Sequence, residues 1–314
     1  MLEKIPVILD GDPGHDDAIA WVLANADKRL NILAVTTSCG NQTIEKTTHN
    51  ARQICTLIGL NAPIAKGAKK PMVRKVLTAG NIHGESGLDG AVLPVPDREL
   101  SELCAADLIA NAVKSSDKKV TIIATGPLTN IATFLLCYEE LKDRIEQISL
   151  MGGGIYTGNF SFAAEFNILV DPEAADIVFK SGIKIIMSGL DVTLKSLILP
   201  EDIKKIRSIN NKVSDVVAAW LDFFLIFHME KGYKGAPVHD AVAVISVIHK
   251  DILDIKEMFV EIDTKGEYCT GATIGDIRGI KDLKSNAQVV CGIDRKAFVN
   301  IIIDAVKSYS KEAL

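Results

Sequence analysis

Apolar residues in this chain fall into short β-branched runs, each followed by a stretch with helical spacing. "VILD" (7–10) precedes "AIAWVLA" (18–24), and "NILAVTT" (31–37) precedes an amphipathic stretch over 43–60. "VTIIAT" (120–125) leads to "NIATFLLCY" (130–138), "QISLMGG" (147–153) leads to "DPEAADIVFK" (171–180), and "KIIMSG" (184–189) follows. This alternation predicts βαβ units that build an α/β fold: a mostly parallel, doubly wound sheet with helices on both faces. The most apolar long run, "VVAAWLDFFLIF" (216–227), carries Asp222 and falls short of the roughly 20 residues that span a bilayer, so it predicts a buried helix. It belongs to a helical portion, about residues 200–235, expected beside the ligand pocket. Residues 66–98 are rich in Gly and Pro and read as an ordered excursion. Without an internal repeat or linker, residues 1–314 are expected to form one domain.

The polar positions are concentrated where the strands should end. Those ends read "DGDPGHDD" (10–17), "TTSCGNQT" (36–43), "ATGPLTN" (124–130), "MGGGIYTGNF" (151–160) and "SGLDVT" (188–193). Open α/β sheets bind ligands beyond the carboxyl ends of their strands, so one pocket could collect all five.

Composition narrows the partner. With 48% apolar and 24% charged residues the chain has ample core, and a net charge of −5 gives no reason to expect nucleic acid or an anionic membrane. A small molecule fits better. The opening "MLEKIPVILD" runs straight into a strand with no secretory pattern, so a cytoplasmic location is expected. The six cysteines lack C-x-x-C spacing, which argues against a zinc site or a disulfide scaffold.

Four carboxylates within eight residues change the picture most. Asp10, Asp12, Asp16 and Asp17 flank a turn at Pro13–Gly14, directly against core segments. Crowded, desolvated carboxylates repel one another unless a cation compensates them, and all-oxygen donors suit Ca²⁺ or Mg²⁺ rather than zinc. The plainer alternative is that Asp16 and Asp17 favour a helix N-terminus. "AEFN" (164–167), with Asn159 upstream, offers a carboxylate and two amides suited to several hydroxyls. "VHD" (238–240) sets His239 and Asp240 at a helix start, where such pairs are more often caps. "GGG" (152–154) lacks the spacing of a phosphate-binding loop.

Taken together, "DGDPGHDDA" (10–18), "GNQT" (40–43), "NIHGESGLDG" (81–90), "ATGPLTN" (124–130), "MGGG" with "GN" and "AEFN" (151–167), "DPEAA" (171–175) and "PVHD" (237–240) resemble the inosine-uridine nucleoside hydrolases over nearly the whole chain. "DPGHDDAIA", "HGESGLDG" and "LDFFL" are more similar to the pyrimidine-preferring bacterial ribonucleoside hydrolases than to the purine-specific ones.

The resemblance implies hydrolysis of the N-glycosidic bond of ribonucleosides to ribose and base, with a purine-preferring or non-specific hydrolase as the runner-up. It implies a Ca²⁺ held by Asp12, Asp17, the Thr125 carbonyl and Asp240, with Asp10 supporting the site from behind. Asp12 would be the general base toward the attacking water. Asp16, Asn159, Glu165 and Asn167 would grip the ribose, with Asn41 nearby, and His239 and His83 would serve the leaving base. For the group that closes over the base, His228, Lys231 and Tyr233 each match, with Tyr233 the preferred assignment. Family members commonly assemble as dimers or tetramers.

Two other readings compete. A D-x-D after a strand also begins the haloacid-dehalogenase-like phosphotransferases, in which Asp10 would be the nucleophile, Asp12 the acid/base, Thr125 a phosphate ligand and Asp191 a magnesium ligand. Pro13 is unusual after that motif, and "AEFN" and "PVHD" would have no task. A non-catalytic nucleoside-binding protein would more often lack Asp12 or His239, and both are present.

Overall fold

The computed structural model describes residues 4–280 and 283–310; residues 1–3, 281–282 and 311–314 of the expected domain lie outside the described residues. The first strand, β1 (Ile5–Gly11), is central. Beside it β2 (Leu30–Thr37) and β3 (Ile64–Lys66) run to one edge, while β4 (Val120–Ala124), β5 (Ile145–Met151) and β6 (Ile185–Ser188) run toward the other. Two pairs, β7 (Leu197–Ile198) with β8 (Ala236–Pro237) and β10 (Val260–Ile262) with β11 (Thr273–Gly275), stand apart. The strands β9 (Leu253–Met258) and β12 (Ala287–Ile293) complete the sheet in the order β3-β2-β1-β4-β5-β6-β12-β9. Seven strands are parallel, and β9 pairs antiparallel with β12 at the edge. The predicted α/β fold is therefore observed, with an antiparallel edge strand added.

The helices are α1 (His15–Ala26), α2 (Ile44–Leu57), the single turn α3 (Gly80–His83), α4 (Ala105–Ser115), α5 (Thr129–Cys137), α6 (Phe166–Val170), α7 (Pro172–Phe179), α8 (Leu190–Thr193), α9 (Pro200–Arg207), α10 (Lys212–Glu230), α11 (Ala241–Ile248) and α12 (Arg295–Ser308). Alternation along β1 divides the core, because successive strand side chains point to opposite faces. Val7 and Leu9 pack with α1, α2, α10, α11 and α12, whereas Ile8 packs with α4, α5 and α7. The expected helical portion is α9 with α10, and its apolar run is buried around Trp220. Among the described residues no helix is long and apolar enough to cross a membrane. Between β3 and α4 the excursion contains α3 as its only helix among the described residues.

The sheet order reverses direction between β1 and β4, since the chain first winds outward through β2 and β3 and then restarts on the other side of β1. Such a switch point opens a crevice beyond the strand ends. Thr125 N donates to Asp10 O at 2.8 Å and Ser38 N donates to Gly11 O at 2.9 Å, which holds three strand ends together at that crevice.

Candidate active site

Beyond β1, β4 and β5 lies a cavity of about 440 Å³, a size suited to a small ligand. Its wall contains twelve of the residues named from sequence: Asp16, Asn41, His83, Thr125, Asn159, Glu165, Asn167, His228, Lys231, Tyr233, His239 and Asp240. Asp10, Asp12 and Asp17 are fully buried and are not part of that wall.

The first loop is fixed by hydrogen bonds from neighbouring strand ends. Asp10 Oδ1 accepts from Thr36 Oγ1 at 2.5 Å and from Asn130 Nδ2 at 2.7 Å, which makes Asp10 a supporting group joining β2 to α5. Asp12 Oδ2 accepts from the Asn41 backbone N at 2.6 Å, whereas Asp12 Oδ1 is buried with no partner. Asp17 Oδ2 accepts from Gly14 N at 3.0 Å and Asn41 Nδ2 at 3.1 Å, and Asp17 Oδ1 accepts from Thr125 Oγ1 at 2.6 Å. Asp17 thus does satisfy a backbone donor at the start of α1, as the plainer reading expected, and its second oxygen reaches β4. Gly40 leaves room for this arrangement, because a Cβ there would overlap the Asp12 carboxylate.

Asp240 arrives from the far end of the chain. The β7–β8 pair and the bond from Val238 N to Ser196 O at 3.2 Å carry residues 238–240 to the crevice, and Asp240 stands at the N-cap position of α11 without a side-chain capping bond. Oxygens of Asp16, Asp17 and Asp240 then lie within 4.8 Å of one another, the one such group among the described residues. Sequence placed Asp12 beside Asp17 and Asp240; the tight group has Asp16 there instead. Asp12 still acts on the group, since its charge repels Asp240 and is repelled by Asp17 and Asp16.

Every one of these acids is hard to ionise without a cation. Burial is the largest cause throughout, with mutual repulsion added: Asp12 and Asp240 are pushed well above the usual carboxylate range, Asp16 to about 8 and Asp10 to about 7. Charged groups at such a site need a counterion within the protein interior. An all-oxygen donor set with an orphaned carboxylate oxygen fits a hard divalent cation.

On the opposite wall, Glu165 caps α6, with Oε1 accepting from Asn167 N at 3.0 Å and Oε2 from Gly153 N at 2.9 Å. The "GGG" turn is therefore folded around Glu165, with Gly153 at φ 76° and its amide committed to that carboxylate rather than to a phosphate. Asn167 Nδ2 donates to Thr125 O at 2.9 Å and Met151 O at 3.2 Å, leaving its Oδ1 for a ligand. Asn159 Oδ1 accepts from Phe166 N at 3.0 Å, leaving its Nδ2. One amide can thus accept from a hydroxyl and the other donate to one.

The remaining wall is aromatic. His239 Nδ1 lies 2.8 Å from Thr193 Oγ1, and burial pushes its pKa down to about 3, so the ring is neutral near pH 7. His83 is buried and stacks on Phe224, 5.4 Å between centroids. His83 Nδ1 faces both the His15 backbone N at 3.3 Å and His15 Nδ1 at 3.1 Å, while His15 Nε2 meets the Asp89 carbonyl at 2.8 Å. Two neutral rings can satisfy only two of these three contacts, so tautomers on this side are interdependent.

Three comparisons with known proteins decide the family. Residues 7–300 match the model described as inosine-uridine preferring nucleoside hydrolase. The chain belongs to that family. It is an N-glycosidase that hydrolyses nucleosides, so the phosphotransferase and non-catalytic readings fall. The chain is 49% identical over 308 residues to the pyrimidine-specific ribonucleoside hydrolase RihA of Shewanella sp. (strain MR-4), covering 97% of each chain. It is 48% identical over 307 residues to the protein of that name from Photobacterium profundum, covering 97% of this chain and 99% of that one. Its fold is similar to that of the purine-preferring ribonucleoside hydrolase from Gardnerella vaginalis, with a TM-score of 0.91 at 31% identity over 98% of this chain and all of that one. Asp191, which the phosphotransferase reading made a metal ligand, instead accepts from Ile155 N at 2.7 Å and Tyr156 N at 3.1 Å and so anchors the loop carrying Asn159.

Sequence reasoning passed over several residues of this nucleoside hydrolase site. Asn130 and Thr193 sit inside strand-end segments already marked as polar, which was the available signal. Phe224 and Phe227 line the cavity from α10, yet in sequence they are indistinguishable from the rest of its apolar run.

Proposed function

We propose that the chain hydrolyses pyrimidine ribonucleosides, uridine and cytidine, with a Ca²⁺ held by Asp12, Asp17, Asp240 and the Thr125 carbonyl. The single observation that carries the metal is the buried carboxylate group of Asp16, Asp17 and Asp240 beside the partnerless Asp12 Oδ1. Identity of 49% to a relative named as pyrimidine-specific supports the base preference. When bound, the cation would polarise a water and lower its pKa, so that a neighbouring base could take the proton more easily. Asp12 takes that proton as general base. Attack at C1′ breaks the N-glycosidic bond while positive charge builds on the sugar, and the surrounding carboxylates favour that charge. Asp16, Asn159, Glu165 and Asn167 orient the ribose, and His239 and His83 face the departing base. A homo-oligomer, dimer or tetramer, completes the reading and rests on the family resemblance, and a cytoplasmic location is proposed with it.

The test is release of ribose from uridine, cytidine, inosine and adenosine. Pyrimidine nucleosides should be turned over preferentially, and equal or better turnover of inosine would replace this reading by the purine-preferring or non-specific one. Asp12→Asn should lose on the order of 10²-fold or more in kcat, and Asp10→Asn less.

A further inference from the structure

His15 and His83 face each other behind the cavity wall, with their Nδ1 atoms 3.1 Å apart. His15 opens α1 and His83 closes the single turn α3, so the contact joins the first loop to the excursion. Both rings are buried, and His15 lies nearly parallel to Phe223 and Phe224, at 5.1 and 5.6 Å between centroids. Gly14 makes room for the pair, since a Cβ there would overlap the His83 ring. Both nitrogens of His15 are committed and neither meets a carboxylate: Nδ1 faces His83, and Nε2 lies 2.8 Å from the Asp89 carbonyl. The Asp89 carboxylate is itself held by Glu85 N, Ser86 N and Ser86 Oγ. An ionised ring here would be buried without an anionic partner, which is costly, so both rings are neutral.

The proton on each ring then follows from hydrogen-bond polarity. A carbonyl oxygen only accepts, so His15 Nε2 carries the proton of its ring and His15 Nδ1 is bare. A second bare nitrogen 3.1 Å away would set two lone pairs against each other, so His83 Nδ1 carries a proton and donates to His15. The His15 backbone N approaches His83 Nδ1 at 3.3 Å, the longest of the three contacts, and this is the one left unbonded. His83 Nε2 is therefore bare. It has no partner among the described residues and is not sealed away from the cavity that His83 lines.

We infer that His15 is a positioning residue: it holds His83 in the Nδ1–H tautomer, so that His83 Nε2 accepts a hydrogen bond from the bound nucleoside instead of carrying a proton to the departing base. The nucleoside as ligand rests on the reading above; the tautomer does not. The segment "HGESGLDG" (83–90) thereby has a task beyond supplying His83, because its turn at Ser86–Asp89 aims the carbonyl that orients His15.

The test reads the tautomer directly, by solid-state ¹³C–¹⁵N correlation NMR of histidine-labelled protein as purified, with His83→Gln assigning the signals. In the wild type His83 should show a protonated Nδ1 and a bare Nε2. His15→Asn, whose side-chain oxygen can accept at the place of Nδ1, should keep that pattern. His15→Leu removes the acceptor and leaves the backbone N–H facing His83 Nδ1, so the pattern should reverse. Kinetics then carry a sign. His15→Leu should lose roughly tenfold in kcat/KM for uridine, and His15→Asn should keep most of it. A proton-delivering His83 predicts the opposite, since the Leu variant would hold the proton on Nε2. A bare Nδ1 on His83 in the wild type overturns the inference, as does an unchanged tautomer in His15→Leu or a Leu variant as active as the wild type. Should His15→Leu fail to fold, the wild-type spectrum and His15→Asn decide. A wild type with the expected tautomer that releases ribose from no nucleoside removes the nucleosidase reading and leaves the pairing of His15 with His83 standing.

Discussion

Thr125 Oγ1 donates to Asp17 Oδ1 at 2.6 Å, joining the end of β4 to the first turn of α1 across the switch point of the sheet. Asp17 is fully buried, and this hydroxyl is one of the few neutral donors its carboxylate receives. Thr125→Val keeps the shape and removes the donor. Leaving a buried acceptor unsatisfied should lower the stability of the metal-free protein by about 1–3 kcal/mol, read from urea denaturation. An unchanged midpoint would show that the hydroxyl contributes nothing.

Metal content follows from the oxygen-only site. Elemental analysis of protein purified without added metal should find calcium near one per chain; stoichiometric zinc without calcium would refute the assignment. Because the donors come from the first loop and from residue 240, chelation should lower Tm and calcium should restore it. The restored stability should be about 2.7 kcal/mol at a hundredfold excess over Kd.

The sugar should be read strictly. Asp16, Asn159, Glu165 and Asn167 are polar groups on the cavity wall, and a site that pairs a hydroxyl rejects the analogue lacking it. 2′-Deoxyuridine should be worse than uridine by at least roughly 10²-fold in kcat/KM. Asp16→Ala should shrink that ratio. If it does not, Asp16 serves the start of α1 and not the ribose.

Glu165 should make stability depend on pH. Burial is the main cause that raises its pKa from 4.5 to about 7, despite the three backbone amides that bond its charged form. A raised carboxyl pKa means that the folded state holds the proton more tightly than the unfolded state, so no penalty exists below about pH 4.5. The penalty grows as pH rises toward 7 and is complete above it, roughly 3 kcal/mol in all. Metal-free wild type should therefore lose about that much more stability between pH 5 and pH 8 than Glu165→Gln does. Identical pH slopes would mean that Glu165 titrates as an ordinary carboxyl.

The sequence by itself determined the layered fold and the neighbourhood of the chemistry. β-Branched runs such as "VTIIAT" alternate with helical spacing, and both are set by local backbone geometry and by which face a side chain must bury. Polar groups at strand ends, from Asp10 to "SGLDVT", were legible because core strands have no other reason to end in carboxylates and amides. What only the tertiary structure decided are relations between distant segments. Nothing local in "VHD" says that Asp240 will lie with Asp16 and Asp17, because that depends on β8 pairing with β7 and on the switch of the sheet between β1 and β4. Likewise His228 was legible only as one of three candidates that the resemblance put near the base, with nothing local to rank them. Its tautomer is set by the Phe224 carbonyl one turn back, and its place on the cavity wall by the packing of α10, neither of which a local stretch of sequence reveals.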